Sequence, residues 1–370
     1  MMKRKWYFLL GLTALSLGGA YVYFDYMRIK GLTDMTNMTV LEQLEEDFKT
    51  CPIEQRPPLS EETQQLYNYA HYHDLHNMWN GKKGDQVWQD TLPYYRIAAA
   101  NGDYKANVRL QYLLSSGRIA VGNPWVEIDR LNKQLEKQLP AVAHYKMYFY
   151  LKNDKGFTVN ENEELVFLRK AAELGNKEAQ YELGEIIIDL EDDRSFLMRR
   201  ELRKILLNCS AIQGHPLAAE MLGVFFQLRE KKYDMATELF HLGVKNGNPL
   251  SASRLEKAFH DKIPETNKID FLDLPVDRER AIRYKMIGEY LFQKDYLNPK
   301  VPDLDEIVPL PPAPLPAWDG KIAFQRWYEG PSPAKPSDEL MQKLADKAGL
   351  DVKTGLPLQK KATPGSTDES

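Results

Sequence analysis

Four glycines, Gly102, Gly175, Gly214 and Gly247, anchor a pattern that recurs along this 370-residue chain and restricts its fold more than any other feature. Four residues after each glycine stands Ala106, Ala179, Ala218 or Ser251, and eight after stands Leu110, Leu183, Leu222 or Leu255. Leu114, Ile187, Phe226 and Phe259 follow at the twelfth position. The order also holds upstream. Ala99, Ala172, Ala211 and Val244 lie three residues before the glycines. Tyr94-Tyr95, Phe167-Leu168, Leu206-Leu207 and Leu239-Phe240 lie eight and seven residues before.

Apolar residues three, four and seven apart make one face of a helix. A glycine can take the left-handed conformation that ends a helix without a side-chain penalty. Pro216 and Pro249 fall where the first turn of a following helix accepts a proline. Each unit is therefore expected to be a helix, a glycine-centred turn and a second helix, with the small residue after the turn allowing the two helices to approach closely. One such hairpin cannot hide its apolar face, so neighbours must stack into an all-α solenoid. No run of alternating β-branched residues is long enough to predict a sheet. Spacings between the anchors are 73, 39 and 33 residues, so the first gap holds either a degenerate unit around Ala141 to Leu151 or an insertion.

The second copy, Ala171-Ala172-Glu173-Leu174-Gly175-Asn176-Lys177-Glu178-Ala179-Gln180-Tyr181-Glu182-Leu183-Gly184, resembles the Sel-one-like repeat, a relative of the tetratricopeptide repeat. The third, with Leu222-Gly223, is similar, whereas the first and fourth lack the glycine after the leucine. The resemblance covers about residues 88 to 260 and implies a surface for other proteins more than any particular activity. Candidate contacts on such a surface are the positions six residues before each glycine, Arg96, Arg169, Asn208 and His241, expected to be exposed because their neighbours are committed to packing.

The amino terminus bears on the compartment. Lys3, Arg4 and Lys5 precede an uncharged run from Trp6 to Phe24, whose nineteen residues make roughly 28 Å of helix, close to the apolar thickness of a bilayer. The basic flank favours a single-pass inner-membrane anchor with the bulk of the chain in the periplasm. A cleaved signal peptide, cut near Gly18 and Ala20, is the alternative and would leave a soluble periplasmic protein. Composition then suggests an anchor over 1–30, a helical arm over 31–87, the solenoid over 88–297, a proline-rich strap with a short helix over 298–358, and a disordered tail over 359–370.

Helix starts are marked by Leu59-Ser60-Glu61-Glu62, by Asn160 with Glu163, and by Ser337-Asp338-Glu339, the last opening a short helix stopped at Gly349. Five prolines between Pro309 and Pro316 predict an extended polyproline strand without internal hydrogen bonds, either packed along the solenoid or offered as a recognition peptide. With Trp318-Asp319-Gly320 and Thr354-Gly355-Leu356-Pro357-Leu358, this region resembles a tail found on some proteobacterial Sel-one-like proteins.

Motifs that carry chemistry are not evident. His71, His73 and His76 form a cluster beside Asp74, but only His73 and His76 share a helix face, so a partly packed histidine set is expected rather than a metal site. Glu191, Asp192 and Asp193 before Arg194, Arg199 and Arg200 read as a solvated inter-repeat helix. No nucleophile elbow, zinc helix, P-loop or dinucleotide fingerprint occurs. Neither enzymatic activity nor a cofactor or metal is expected. With 49 basic against 53 acidic residues, no general field attracts nucleic acid. Cys51 and Cys209 could form one bridge in an oxidising compartment or stay as two buried thiols.

Exported Sel-one-like proteins of this kind resemble immunity proteins encoded beside type VI secretion phospholipase effectors. That resemblance implies binding to an incoming lipase and inhibition of it. The alternative is an envelope scaffold or regulator that recruits a cell-wall or signalling protein. The oligomeric state is not evident from the sequence.

Overall fold

The computed structural model describes residues 36–79, 81–157 and 163–358. The anchor run, Asn160 and the tail from 359 lie outside them. Among the described residues no helix is long and apolar enough to cross a membrane. The architecture is helical, and the described residues contain no strand, only an isolated bridge between Leu350 and Pro357.

The four glycine turns explain the repeat atom by atom. Gly102, Gly175, Gly214 and Gly247 have φ of 93°, 94°, 92° and 92°. Each glycine N–H donates to the carbonyl three residues back, on Ala99, Ala172, Ala211 or Val244, at 2.9–3.0 Å. The next residue, Asp103, Asn176, His215 or Asn248, caps the second helix by accepting from the amide of Ala106, Ala179, Ala218 or Ser251. Orphan carbonyls of one helix and orphan amides of the next are thus satisfied within one turn. The small residues and the leucines downstream are all buried.

The chain forms two compact units. Among the described residues the first comprises 36–54, 140–157, 163–293 and Lys300–Ile322. It contains α1 (Met38–Phe48), then α6 (Pro140–Lys152), α7 (Glu163–Glu173), α8 (Lys177–Ile188), α9 (Phe196–Ile212), α10 (Pro216–Phe225), α11 (Tyr233–Lys245), α12 (Pro249–His260), α13 (Arg278–Gln293) and the short α14 (Leu304–Ile307). From α6 to α13 each helix packs on its successor, as a stack of hairpins requires. Among the described residues the second unit comprises 55–79, 81–139, Lys294–Pro299 and 323–358. It contains α2 (Glu61–Asn77), α3 (Gln86–Ala100), α4 (Tyr104–Ser115), α5 (Pro124–Glu136), α15 (Ala323–Glu329) and α16 (Asp338–Ala348).

In the first unit α1 lies on α9 and buries Leu41, Leu44 and Phe48 among Leu168, Leu183, Leu202 and Leu206. Each such side chain contributes about 1.5–3 kcal/mol by removal from water. The arm after α1 is fastened further. Cys51 and Cys209 are joined by a disulfide. The Pro52 carbonyl accepts from the Gln180 amide at 3.0 Å, and the Ala141 N–H donates to the Glu54 carboxylate at 2.6 Å. Gly175 leaves room for this crossing, since a Cβ there would stand 2.6 Å from the Glu54 nitrogen.

The proline-rich strap differs from an unbonded extended strand. Ala313 N–H donates to the Leu310 carbonyl at 3.2 Å, closing a turn around a cis Pro311–Pro312 peptide. Within the first unit the strap runs along α13. Arg280 donates to the carbonyls of Pro309 and Ala313, Arg283 donates to that of Ile307, and the Arg283 guanidinium lies over the Trp318 ring. Prolines bring acceptors but no donors, so arginines opposite them complete the hydrogen bonding.

Arg199 corrects the solvated-helix expectation. It is buried, and its guanidinium donates to the carbonyls of Ile187 and Asp192 at 2.7 and 2.6 Å and to Ser195 Oγ at 2.9 Å. From the first turn of α9 this five-donor side chain reaches the Ile187 carbonyl, left open at the end of α8, and the Asp192 carbonyl of the loop between the two helices.

Candidate protein-binding groove

Helix α11 is apolar on two faces. Ala236, Phe240 and Val244 point into the core. Met235, Leu239 and Leu242, at spacings of four and three, point into a groove shared with α9. Ile205 and Asn208 of α9 form the other wall, Leu222 and Phe226 the floor, and Lys49 and Cys51 of the arm one end. Its volume is about 460 Å³, and Met235 stays 42% exposed. A helix with a second apolar face open to water has surface left to cover.

The charges at the rim are unevenly answered. Lys204 is paired with Glu201 at 2.6 Å and Glu230 at 3.4 Å, and Lys49 with Glu46 at 3.1 Å. Glu238 lines the groove and makes no ion pair among the described residues.

A larger cleft, about 900 Å³, lies in the second unit between α2, α3 and α16, lined by Tyr69, His73, Tyr94, Lys335, Asp338 and Lys353. Its wall is polar, with charges of both signs. Beside it the histidines are partly packed. His71 stacks on Tyr67, and His76 stacks on Tyr328 with its ring nitrogens 2.7 and 2.9 Å from the Tyr72 and Tyr328 carbonyls. Beneath them Asp74 is fully buried with Arg109 and Tyr95. Burial works against ionisation there, but the Arg109 and His71 contacts hold the Asp74 carboxyl below its usual range. Among the described residues no group of three metal-ligating side chains converges.

Of the four positions six residues before the glycines, Asn208 lines the groove, its amide 3.9 Å from the Cys51 sulphur. Arg169 is half-buried and paired with Glu173 at 2.8 Å. Arg96 and His241 correct the expectation of exposure. Arg96 is buried, forming a bidentate pair with Glu127 at 2.7 and 2.6 Å and donating to the Thr354 carbonyl. His241 is buried between Tyr284, 2.7 Å from Nδ1, and Asp305, 2.8 Å from Nε2. Burial pushes the His241 pKa down, against the pull of the Asp305 carboxylate. Both side chains are covered by segments returning from far along the chain, which the repeat pattern does not announce. The repeat pattern marks Leu239 only as a packing position and does not mark Met235 or Glu238. The signal for Met235 and Leu239 is the doubled apolar periodicity of α11.

Comparison with known proteins places the fold. Residues 251–358 match a family described as a domain of unknown function, DUF6396. No curated protein matches the chain significantly. Among solved structures, Pseudomonas aeruginosa 5086 (PA5086) is similar at 24% identity and a TM-score of 0.50, over 70% of this chain and 92% of that one. Immunity protein PA5088 from Pseudomonas aeruginosa is similar at 24% identity and a TM-score of 0.50, over 70% and 91% of the two chains. A Sel1 repeat protein from Oxalobacter formigenes is similar at 18% identity and a TM-score of 0.39, over 78% and 98%. In fold, this chain is similar to PA5086 and to the immunity protein PA5088 of Pseudomonas aeruginosa.

Proposed function

We propose that this protein is a helical-repeat inhibitor, an immunity protein that binds a type VI secretion lipase effector in the periplasm and blocks it. The observation that carries the reading is the apolar α9–α11 groove on a disulfide-fastened stack of hairpins. Its fold likeness to a solved immunity protein supports it. A solenoid gains affinity from many side chains spread along an extended face, with no catalytic pocket needed.

The location follows from the same reading. The uncharged run from Trp6 to Phe24 anchors the chain in the inner membrane and leaves the helices in the periplasm, where a disulfide persists. A tether holds the inhibitor beside the membrane a lipase attacks, raising its effective concentration there.

The test is co-expression in a host that lacks its own immunity genes. A periplasm-directed type VI lipase effector that is the cognate toxin lyses cells alone and is tolerated when this protein is present. Lysis at the same rate with the protein present contradicts the proposal.

A further inference from the structure

We infer that the α9–α11 groove docks an amphipathic helix of the partner, one that inserts bulky apolar side chains and sets a basic residue against Glu238. This rests on the protein-binding reading above and names the chemistry its partner must present.

Three observations converge. First, the groove has the form that takes a helix: two neighbouring helices as walls, Leu222 and Phe226 as an apolar floor, and Met235, Leu239 and Leu242 along one side at helical spacing. Its volume of about 460 Å³ accepts more than one large side chain. Second, the charge left over at the rim is negative. Lys204 and Lys49 already have carboxylate partners, whereas the Glu238 carboxylate has none among the described residues. A cation on the partner completes it and an anion is repelled, so this position governs selectivity. Third, the groove is built before the partner arrives. The disulfide attaches Cys51, at the groove end, to α9, and the Pro52 carbonyl is held by the Gln180 and Gln213 amides at 3.0 and 3.4 Å. A preformed site loses less freedom on binding.

The experiment uses the full chain and three labelled fifteen-residue alanine-based helices, read by fluorescence anisotropy. One carries Leu, Phe and Leu at i, i+4 and i+7 with flanking lysines. The second replaces the lysines by glutamates, and the third replaces the apolar residues by serines. The lysine peptide is expected to bind about tenfold more tightly than the glutamate peptide, and Glu238→Lys is expected to invert that order. Leu239→Ser is expected to weaken the lysine peptide at least about tenfold, and the serine peptide is expected not to bind. Met235→Glu, at an exposed position, serves as a second groove variant if Leu239→Ser loses its helical circular dichroism.

Absence of binding by the lysine peptide, or binding indifferent to Glu238→Lys and to both apolar variants, overturns the assignment. The same variants are then assayed for protection against the lipase. Protection retained by all of them leaves the inhibitor reading standing without this groove. Peptide binding that tracks the groove in a protein that never protects leaves the groove standing without that reading.

Discussion

Replacing Gly175 by alanine should destabilise the first unit far more than the same change at Gly214. Both glycines have φ above +90°, so an alanine at either meets the left-handed penalty of about 1–2 kcal/mol. At Gly214 the added methyl would meet the Asn246 side chain at 3.4 Å, a contact that can relax. At Gly175 it would stand 2.6–2.7 Å from backbone atoms of Ile53 and Glu54. Carbon contacts relax at roughly 3.5 Å, so the arm must shift by about 1 Å. That strains the hydrogen bonds from Gln180 to Pro52 and from Ala141 to Glu54, each contributing about 1 kcal/mol. The total for Gly175→Ala is about 3–4 kcal/mol, against about 1–2 for Gly214→Ala. Thermal unfolding followed by circular dichroism should show Gly175→Ala melting at least about 5 °C below Gly214→Ala. Hydrogen exchange at the Ala141 amide should rise in the first variant alone. Equal melting points would refute the claim that the arm is seated on the turn.

Other expectations follow from the same contacts. Reducing the disulfide, or changing Cys51 and Cys209 to serine, frees a closure across 158 residues whose entropic ceiling is about 5 kcal/mol. Because α1 remains packed, a loss of about 2–4 kcal/mol is expected, and an unchanged denaturant midpoint would contradict it. Arg199→Ala leaves the carbonyls of Ile187, at the end of α8, and of Asp192, in the following loop, unanswered and should cost about 3 kcal/mol in urea unfolding, with Arg199→Lys recovering less than half, since one ammonium cannot span both. His241 is held below its ordinary value near 6.5, so on acidification the unfolded chain takes up this proton first. Its contribution to stability is complete above about pH 6.5 and is lost as pH falls toward the folded pKa. The melting point should drop between pH 7.5 and 5.5 by more in the wild type than in His241→Phe, and parallel pH profiles would count against it.

The repeat was legible because every element of it is local. Gly175, the Asn176 cap and Ala179 lie within one turn, and chemistry within one turn leaves a fixed spacing. Ser337 and Gly349 likewise mark both ends of α16, where Ser337 Oγ accepts from the Leu340 amide and Gly349 has φ of 67°. Contacts between distant segments left no such mark. Nothing near His241 announces that Asp305 returns to it, and nothing near Arg96 announces the Thr354 carbonyl. Arg199 read as solvated because its partners are backbone carbonyls, which have no identity in a sequence. The groove was half legible. Position 208 stands out by register, whereas Leu239 reads as core, a place that Phe240 and Ala236 fill.

The most direct measurement is hydrogen exchange by mass spectrometry on the full chain, with and without the purified lipase it is proposed to neutralise. Docking in the groove predicts slowed exchange in the segments around Lys204–Asn208 and Met235–Leu242, with α13 unchanged. Protection confined to other helices, or no protection at lipase concentrations that saturate inhibition, would contradict the account.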